Sequence, residues 1–194
     1  MNEITRRGLI YGTATVAACA LLAGVERVAR SAFAGNDEPE DDPGPVTIVK
    51  FADDGTRLGT ITTSKIRKSK AEWKKQLTPL QFDVTRRAAT EFAFSGALHN
   101  QHAPGLYRCV DCNNALFSSK TKFDSGTGWP SFWEPIAREH VREKKDFSLG
   151  VLRTEVKCTL CDAHLGHVFT DGPEPTGLRY CMNSAALRFL PRMT

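Results

Sequence analysis

The sequence predicts a mainly β domain with short helices near its beginning. Three observations carry that expectation. From Tyr107 onward the chain consists of short apolar runs broken by Gly, Pro, Asn and Asp, and a Cys-x-x-C pair occurs twice within that region. Ahead of it, Lys70 to Thr90 carries Trp73 and Leu77 four residues apart, with Pro79 and Thr85 near expected helix starts. Many short runs without alternating helical segments read as antiparallel strands rather than strand-helix units. The paired residues and start signals before them read as two short helices. At 194 residues the chain suits one domain with appendages, and no internal repeat is found beyond the doubled cysteine pair.

The appendages come first. Arg6 and Arg7 precede an uncharged run from Gly8 to Val25, followed by a short polar stretch and Ala32-Phe33-Ala34. That order is the layout of a twin-arginine export signal over residues 1–34, cleaved after Ala34 and delivering the protein to the periplasm. An uncleaved membrane anchor is the alternative, because about 18 apolar residues is the lower limit for a spanning helix. Val16-Ala17-Ala18-Cys19 also resembles a lipidation site. Residues 35–45 are acidic and Pro-rich without apolar periodicity, and read as a disordered linker. In residues 46–64, two β-branched runs flank Asp53-Asp54-Gly55, the pattern of a hairpin extension. The main domain is expected over residues 65–194. Its basic run from Lys65 to Lys75 reads as a solvated helix face. The net charge of +4, with no Lys/Arg block interleaved with aromatics, gives no basis for nucleic-acid binding.

The cysteines carry the chemistry. Cys109-Val110-Asp111-Cys112 and Cys158-Thr159-Leu160-Cys161 are two knuckles, each able to aim two thiolates from one turn at a single ion. Together they predict one structural zinc with closed coordination. Disulfides, or one redox-active Cys-x-x-C, compete with this reading because an exported protein meets oxidising surroundings. Export in the folded state weakens that objection, since zinc is then loaded beforehand. His164 and His167 lie close behind Cys161 and are possible ligands that the cysteine count makes unnecessary.

Subtracting Cys19 and the four ligands leaves Cys181. If Arg179-Tyr180-Cys181-Met182-Asn183 is a strand, then Arg179, Cys181 and Asn183 share one face. A guanidinium beside a thiol lowers its pKa and favours the nucleophilic thiolate. A buried inert thiol is the alternative, and the commonest fate of a free cysteine.

These residues resemble the B-type peptide methionine sulfoxide reductases. The resemblance spans about residues 70–191 and rests on Phe123-Asp124-Ser125-Gly126-Thr127-Gly128-Trp129-Pro130-Ser131-Phe132, on His164-Leu165-Gly166-His167-Val168-Phe169 and on Asp171-Gly172-Pro173. The run from Thr176 through Arg179-Tyr180-Cys181-Met182-Asn183 to Leu187 completes it. It implies two antiparallel β-sheets (a β-tent) with short N-terminal helices, a zinc on Cys109, Cys112, Cys158 and Cys161, and Cys181 as nucleophile. The implied substrate is the R epimer of methionine sulfoxide in oxidised proteins or peptides. Reduction of a sulfoxide needs a thiolate, a proton donor for the oxygen and an apolar box for the S-methyl group. His164, His167 and Asn183 are candidates for holding the oxygen and a water, with histidine suited to proton delivery at neutral pH. Trp129 and Phe169 would form the box, Arg179 would stabilise the thiolate, and Asp171 would orient a histidine.

Many members of that family carry a resolving cysteine where this chain has Thr127. The sulfenic acid left on Cys181 would therefore be reduced by an external thiol, small or thioredoxin-like. A monomer is expected. Two other classes remain open at this point: a zinc-ribbon binding module without catalysis, and a thiol-disulfide oxidoreductase acting through one Cys-x-x-C.

Overall fold

The structure, a computed structural model, describes residues 44–147 and 152–192, all within the compact unit Pro43–Thr194. The leader read over 1–34 and most of the linker lie outside these residues. No helix among the described residues is long and apolar enough to cross a membrane.

The described chain opens on an antiparallel hairpin of β1 (Val46–Phe51) and β2 (Arg57–Thr63). Its turn closes through the Gly55 N–H donating to the Ala52 carbonyl, with Gly55 at φ +86, a conformation other residues adopt only with strain. Two short helices follow, α1 (Lys70–Gln76) and α2 (Pro79–Arg87), each started by a reciprocal capping box, Ser69 with Glu72 and Thr78 with Gln81. Pro79 takes the first helical position, where its missing N–H costs nothing. Thr85, expected near a helix start, lies inside α2, where its hydroxyl donates to the Gln81 carbonyl at 2.8 Å. The cap is Thr78, because its oxygen reaches the free N–H of Gln81.

Two further antiparallel sheets build the body. One has three strands in the order β11 (Leu187–Pro191), β3 (Gly105–Cys109), β4 (Ala115–Ser118). The other has six, in the order β5 (Lys122–Phe123), β6 (Ser131–Phe132), β10 (Arg179–Met182), β9 (His164–Phe169), β8 (Arg153–Cys158), β7 (Val141–Asp146). Among the described residues the architecture is thus mainly β, with eleven strands and two α-helices.

Aromatic rings join the two larger sheets. Phe117 of β4 stacks on Phe132 of β6 with centroids 4.4 Å apart, and Tyr107 of β3 meets Phe132 edge-on at 4.9 Å. All three are fully buried. Each such ring contributes about 1.5–3 kcal/mol on burial, so Phe132→Ala would open a cavity at the seam. The strand bearing Cys181 is interior to the six-stranded sheet, flanked by β6 and β9, which fixes its register on both sides.

The basic run 65–75 is only partly a solvated face. Lys65 is buried and donates to both carboxylate oxygens of Asp162 at 2.7 and 2.8 Å, while Lys68 lies over the Trp73 ring. The difference follows from Asp162, a partner remote in sequence that the local pattern does not reveal.

Candidate active site

The described cysteines fall into a cluster of four at two strand-turn junctions and one that lies within a strand. Cys109, Cys112, Cys158 and Cys161 are all free thiols whose sulfurs lie within 4.8 Å of one another. Cys109 and Cys161 are 3.6 Å apart, as are Cys112 and Cys158. Tetrahedral sulfur ligands about 2.3 Å from a zinc lie roughly 3.8 Å from each other, so the spacing fits one such ion and is far too long for disulfide bonds. The knuckles are built alike. In each, the first cysteine accepts at its carbonyl an N–H from the residue after the second, Asn113 or Asp162. Both of those residues are left-handed, at φ 65 and 58, a conformation that Asn and Asp tolerate. Arg86 of α2 clamps them together, donating to the Cys161 carbonyl at 2.9 Å and to Asp111 at 2.6 Å.

Cys181 stands apart. It is half-buried at the centre of β10, opposite His167 on one side and Ser131 on the other. It lines a cavity of about 120 Å³ that Trp129, His167, Phe169, Asn183, Thr90 and Arg153 also help to line. The Thr127 hydroxyl lies 3.8 Å from Sγ.

The two histidines share this side of β9 for a reason the spacing conceals. Residues three apart on a regular strand point to opposite faces. Here Val156 pairs with Gly166 and Lys157 with His164, so three β9 residues span two of β8, a bulge that restores the common face. The rings end up 5.4 Å apart, edge to face. Gly166 is required at the bulge, since a Cβ there would sit 2.2 Å from the Cys181 carbonyl oxygen.

Each histidine has a carboxylate. His164 Nδ1 meets Glu155 at 2.7 Å and His167 Nε2 meets Asp146 at 3.0 Å. Burial outweighs Asp146 and pulls the His167 pKa down. Asp171, expected to orient a histidine, instead receives two hydrogen bonds from Arg179 at 2.8 and 2.9 Å. The cause is register: Arg179 pairs with Phe169, which brings its guanidinium over that ring at 4.4 Å and against the chain just beyond β9.

Arg179 acts on the nucleophile in the expected direction, but burial outweighs it. Burial pushes the Cys181 thiol up, and the Thr127 hydroxyl, the Arg179 charge and the Ser131 hydroxyl only partly offset it. Arg179 is already neutralised by Asp171, so its field at the sulfur is weakened.

Asn183 is buried, accepting at Oδ1 from the Glu91 N–H at 3.0 Å and donating to the Leu165 carbonyl at 3.1 Å. That leaves one amide hydrogen for the cavity it lines. Glu91, which the sequence reading missed, ties the site together. Its carboxylate accepts from the Ser184 and Ala185 N–H groups at 2.6 and 2.8 Å, and its carbonyl accepts from the Trp129 indole at 3.2 Å. Its partners lie as many as 94 positions away along the chain, beyond any local signal.

The SelR-domain family model matches residues 77–191, a range that includes the four-thiol cluster and every residue named around Cys181. The chain belongs to the SelR-domain family, that of the B-type peptide methionine sulfoxide reductases. Relatives named "Peptide methionine sulfoxide reductase MsrB" align over most of their length. That of Herminiimonas arsenicoxydans is 57% identical over 127 residues, 66% of this chain and 93% of that protein. The Pseudomonas aeruginosa PAO1 protein is 56% identical over 129 residues, 66% of this chain and 98% of its own. The Bradyrhizobium diazoefficiens protein is 53% identical over 131 residues, 68% of this chain and 94% of its own.

Proposed function

We propose that this protein is a peptide-methionine (R)-S-oxide reductase, acting on methionine (R)-sulfoxide in oxidised proteins and peptides. One observation carries the reading. Cys181 is the one described cysteine outside the four-thiol cluster, and it lines a small cavity together with Trp129, Phe169 and His167. The names of the relatives support the same chemistry.

In this reading Trp129 and Phe169 enclose the S-methyl group while the sulfoxide oxygen faces the histidines and the Asn183 amide. Cys181 gives up its proton and attacks with its sulfur electron pair on the substrate sulfur, as a proton reaches the oxygen. The oxygen then passes to Sγ as a hydroxyl. Methionine leaves, reduced by two electrons, and Cys181 remains as a sulfenic acid, oxidised by two.

Thr127 faces the sulfur with a hydroxyl that cannot form a disulfide. One external thiol therefore condenses with the sulfenic acid to a mixed disulfide and water, and a second releases Cys181 and a disulfide. A small thiol or a thioredoxin-like protein would serve.

Cys109, Cys112, Cys158 and Cys161 would hold one structural zinc, whose four thiolates leave no open position for substrate. The arginine pair and the apolar run at residues 6–25 support export to the periplasm, where the protein would act as a monomer.

Epimer-resolved assay of the purified protein with dithiothreitol tests the reading. The R sulfoxide of a methionine peptide should be reduced and the S epimer left, with Cys181→Ser inactive. Activity surviving in Cys181→Ser would sink the assignment of the nucleophile. Accumulation of an intramolecular disulfide during turnover would sink that of the reductant.

A further inference from the structure

Behind His167, a buried ring nitrogen has no partner among the described residues. His164 is almost fully buried, its Nδ1 is committed to Glu155 at 2.7 Å, and its Nε2 has no hydrogen-bond partner among the described residues. A buried polar nitrogen left unsatisfied costs about 1–3 kcal/mol, so an arrangement that isolates one calls for an explanation in what binds there. The bulge in β9 turns this ring toward the same side as His167, which lines the cavity in front of Cys181.

Resting on the functional reading above, we infer that Glu155 is a positioning residue that fixes His164 as the Nδ1–H tautomer, so that Nε2 is the atom exchanging a proton with the sulfoxide oxygen. The carboxylate has two parts to play. As an acceptor it decides which nitrogen carries the proton in the resting ring. As an anion it stabilises the imidazolium that exists while Nε2 holds the proton destined for oxygen. The proton lost by the Cys181 thiol and the proton gained by oxygen then balance through one ring.

Charged groups from the neighbouring strands face the pair. Lys157 lies 3.9 Å from the other oxygen of Glu155, and His167 is edge-on to His164 with Asp146 behind it. Arg153 bridges Asp146 at 2.8 Å. His167 differs from His164 in contacting its carboxylate through Nε2 rather than Nδ1, which leaves Nδ1 as its second nitrogen. The two rings are therefore not interchangeable, and Glu155 marks His164 as the proton carrier.

Full-chain protein with ¹⁵N-labelled histidine tests this directly. Long-range ¹H–¹⁵N spectra should place His164 as the Nδ1–H tautomer in the wild type. Glu155→Leu should shift it toward Nε2–H or a mixture. Nearly isosteric Glu155→Gln keeps the shape and drops the charge. It should lower the single-turnover rate on a peptide bearing one methionine (R)-sulfoxide by about 10–100-fold. Peptide affinity and the rate of Cys181 alkylation without substrate should stay within twofold, which separates positioning from general loss of structure. An Nε2–H tautomer in the wild type, or an unchanged single-turnover rate in Glu155→Gln, would overturn the assignment. A wild-type protein that reduces neither epimer would overturn the functional reading, and the tautomer alone would then decide the Glu155 assignment.

Discussion

Five cysteines lie within one small body, and their backbone settings give them opposite fates. Cys109 and Cys158 end two strands and Cys112 and Cys161 lie on the tight turns that follow, so that each strand-turn junction aims two sulfurs at a common point. Cys181 sits on a strand, which presents its sulfur singly to one face among residues two apart and across the ladder. The accompanying arginines differ in the same way. Arg86 pairs with a buried Asp111 and braces backbone, whereas Arg179 pairs with an exposed Asp171 beside the free thiol. Sulfurs gathered at two strand-turn junctions are placed to share one ion, whereas a sulfur alone in mid-strand has properties set by its neighbours.

The largest test of that contrast exchanges sulfur for oxygen in each setting. Cys158→Ser, or metal removal by a strong chelator, should abolish cooperative unfolding. A structural zinc site is worth about 10–16 kcal/mol of apparent binding energy, as much as the whole stability of a domain. Cys181→Ser should instead keep the urea midpoint of the wild type while losing all turnover. Equal destabilisation by the two substitutions would erase the distinction.

A smaller effect is expected at the strand bearing Cys181, which is held by hydrogen bonds. Glu91 accepts two successive backbone N–H groups just beyond β10. Glu91→Gln would turn an amide N–H toward one of those donors and leave it unsatisfied, costing about 1–3 kcal/mol. Denaturant unfolding measures the loss. Affinity for substrate should fall with it, because the Glu91 carbonyl also holds the Trp129 indole.

The two settings were not equally legible in the sequence. The knuckles could be read because their spacing is local, and the Cys-x-x-C turns are where the pattern puts them. The helices and the hairpin were legible for the same reason: Pro79 and Gly55 act on their own residues. What surrounds Cys181 was only partly so. Alternation along β10 placed Arg179 beside the thiol, yet Glu155 and Asp146 are brought near only by strand pairing, and Glu91 only by long-range hydrogen bonds from a loop. The bulge that aligns His164 with His167 is invisible without knowing how β8 pairs with β9. His140 escaped notice for the same reason. It is wholly buried, accepting from the Val49 N–H at 2.9 Å to dock the hairpin on the body.

The smallest expected effect sharpens the role of Arg179. Burial holds the Cys181 pKa above its ordinary value, so the thiolate fraction is low at neutral pH and rises as pH increases through that raised pKa. Alkylation by iodoacetamide should follow the same rise, with a midpoint above that of a solvent-exposed thiol. Asp171 opposes the thiolate indirectly, by binding the guanidinium that would otherwise favour it. Asp171→Asn removes that competing charge and should increase alkylation at pH 7, by up to about fivefold given the usual worth of an exposed ion pair. Arg179→Met should slow alkylation and cancel the Asp171→Asn gain when the two are combined. Equal alkylation in all four proteins would mean that the hydroxyls of Thr127 and Ser131 set the thiol unaided.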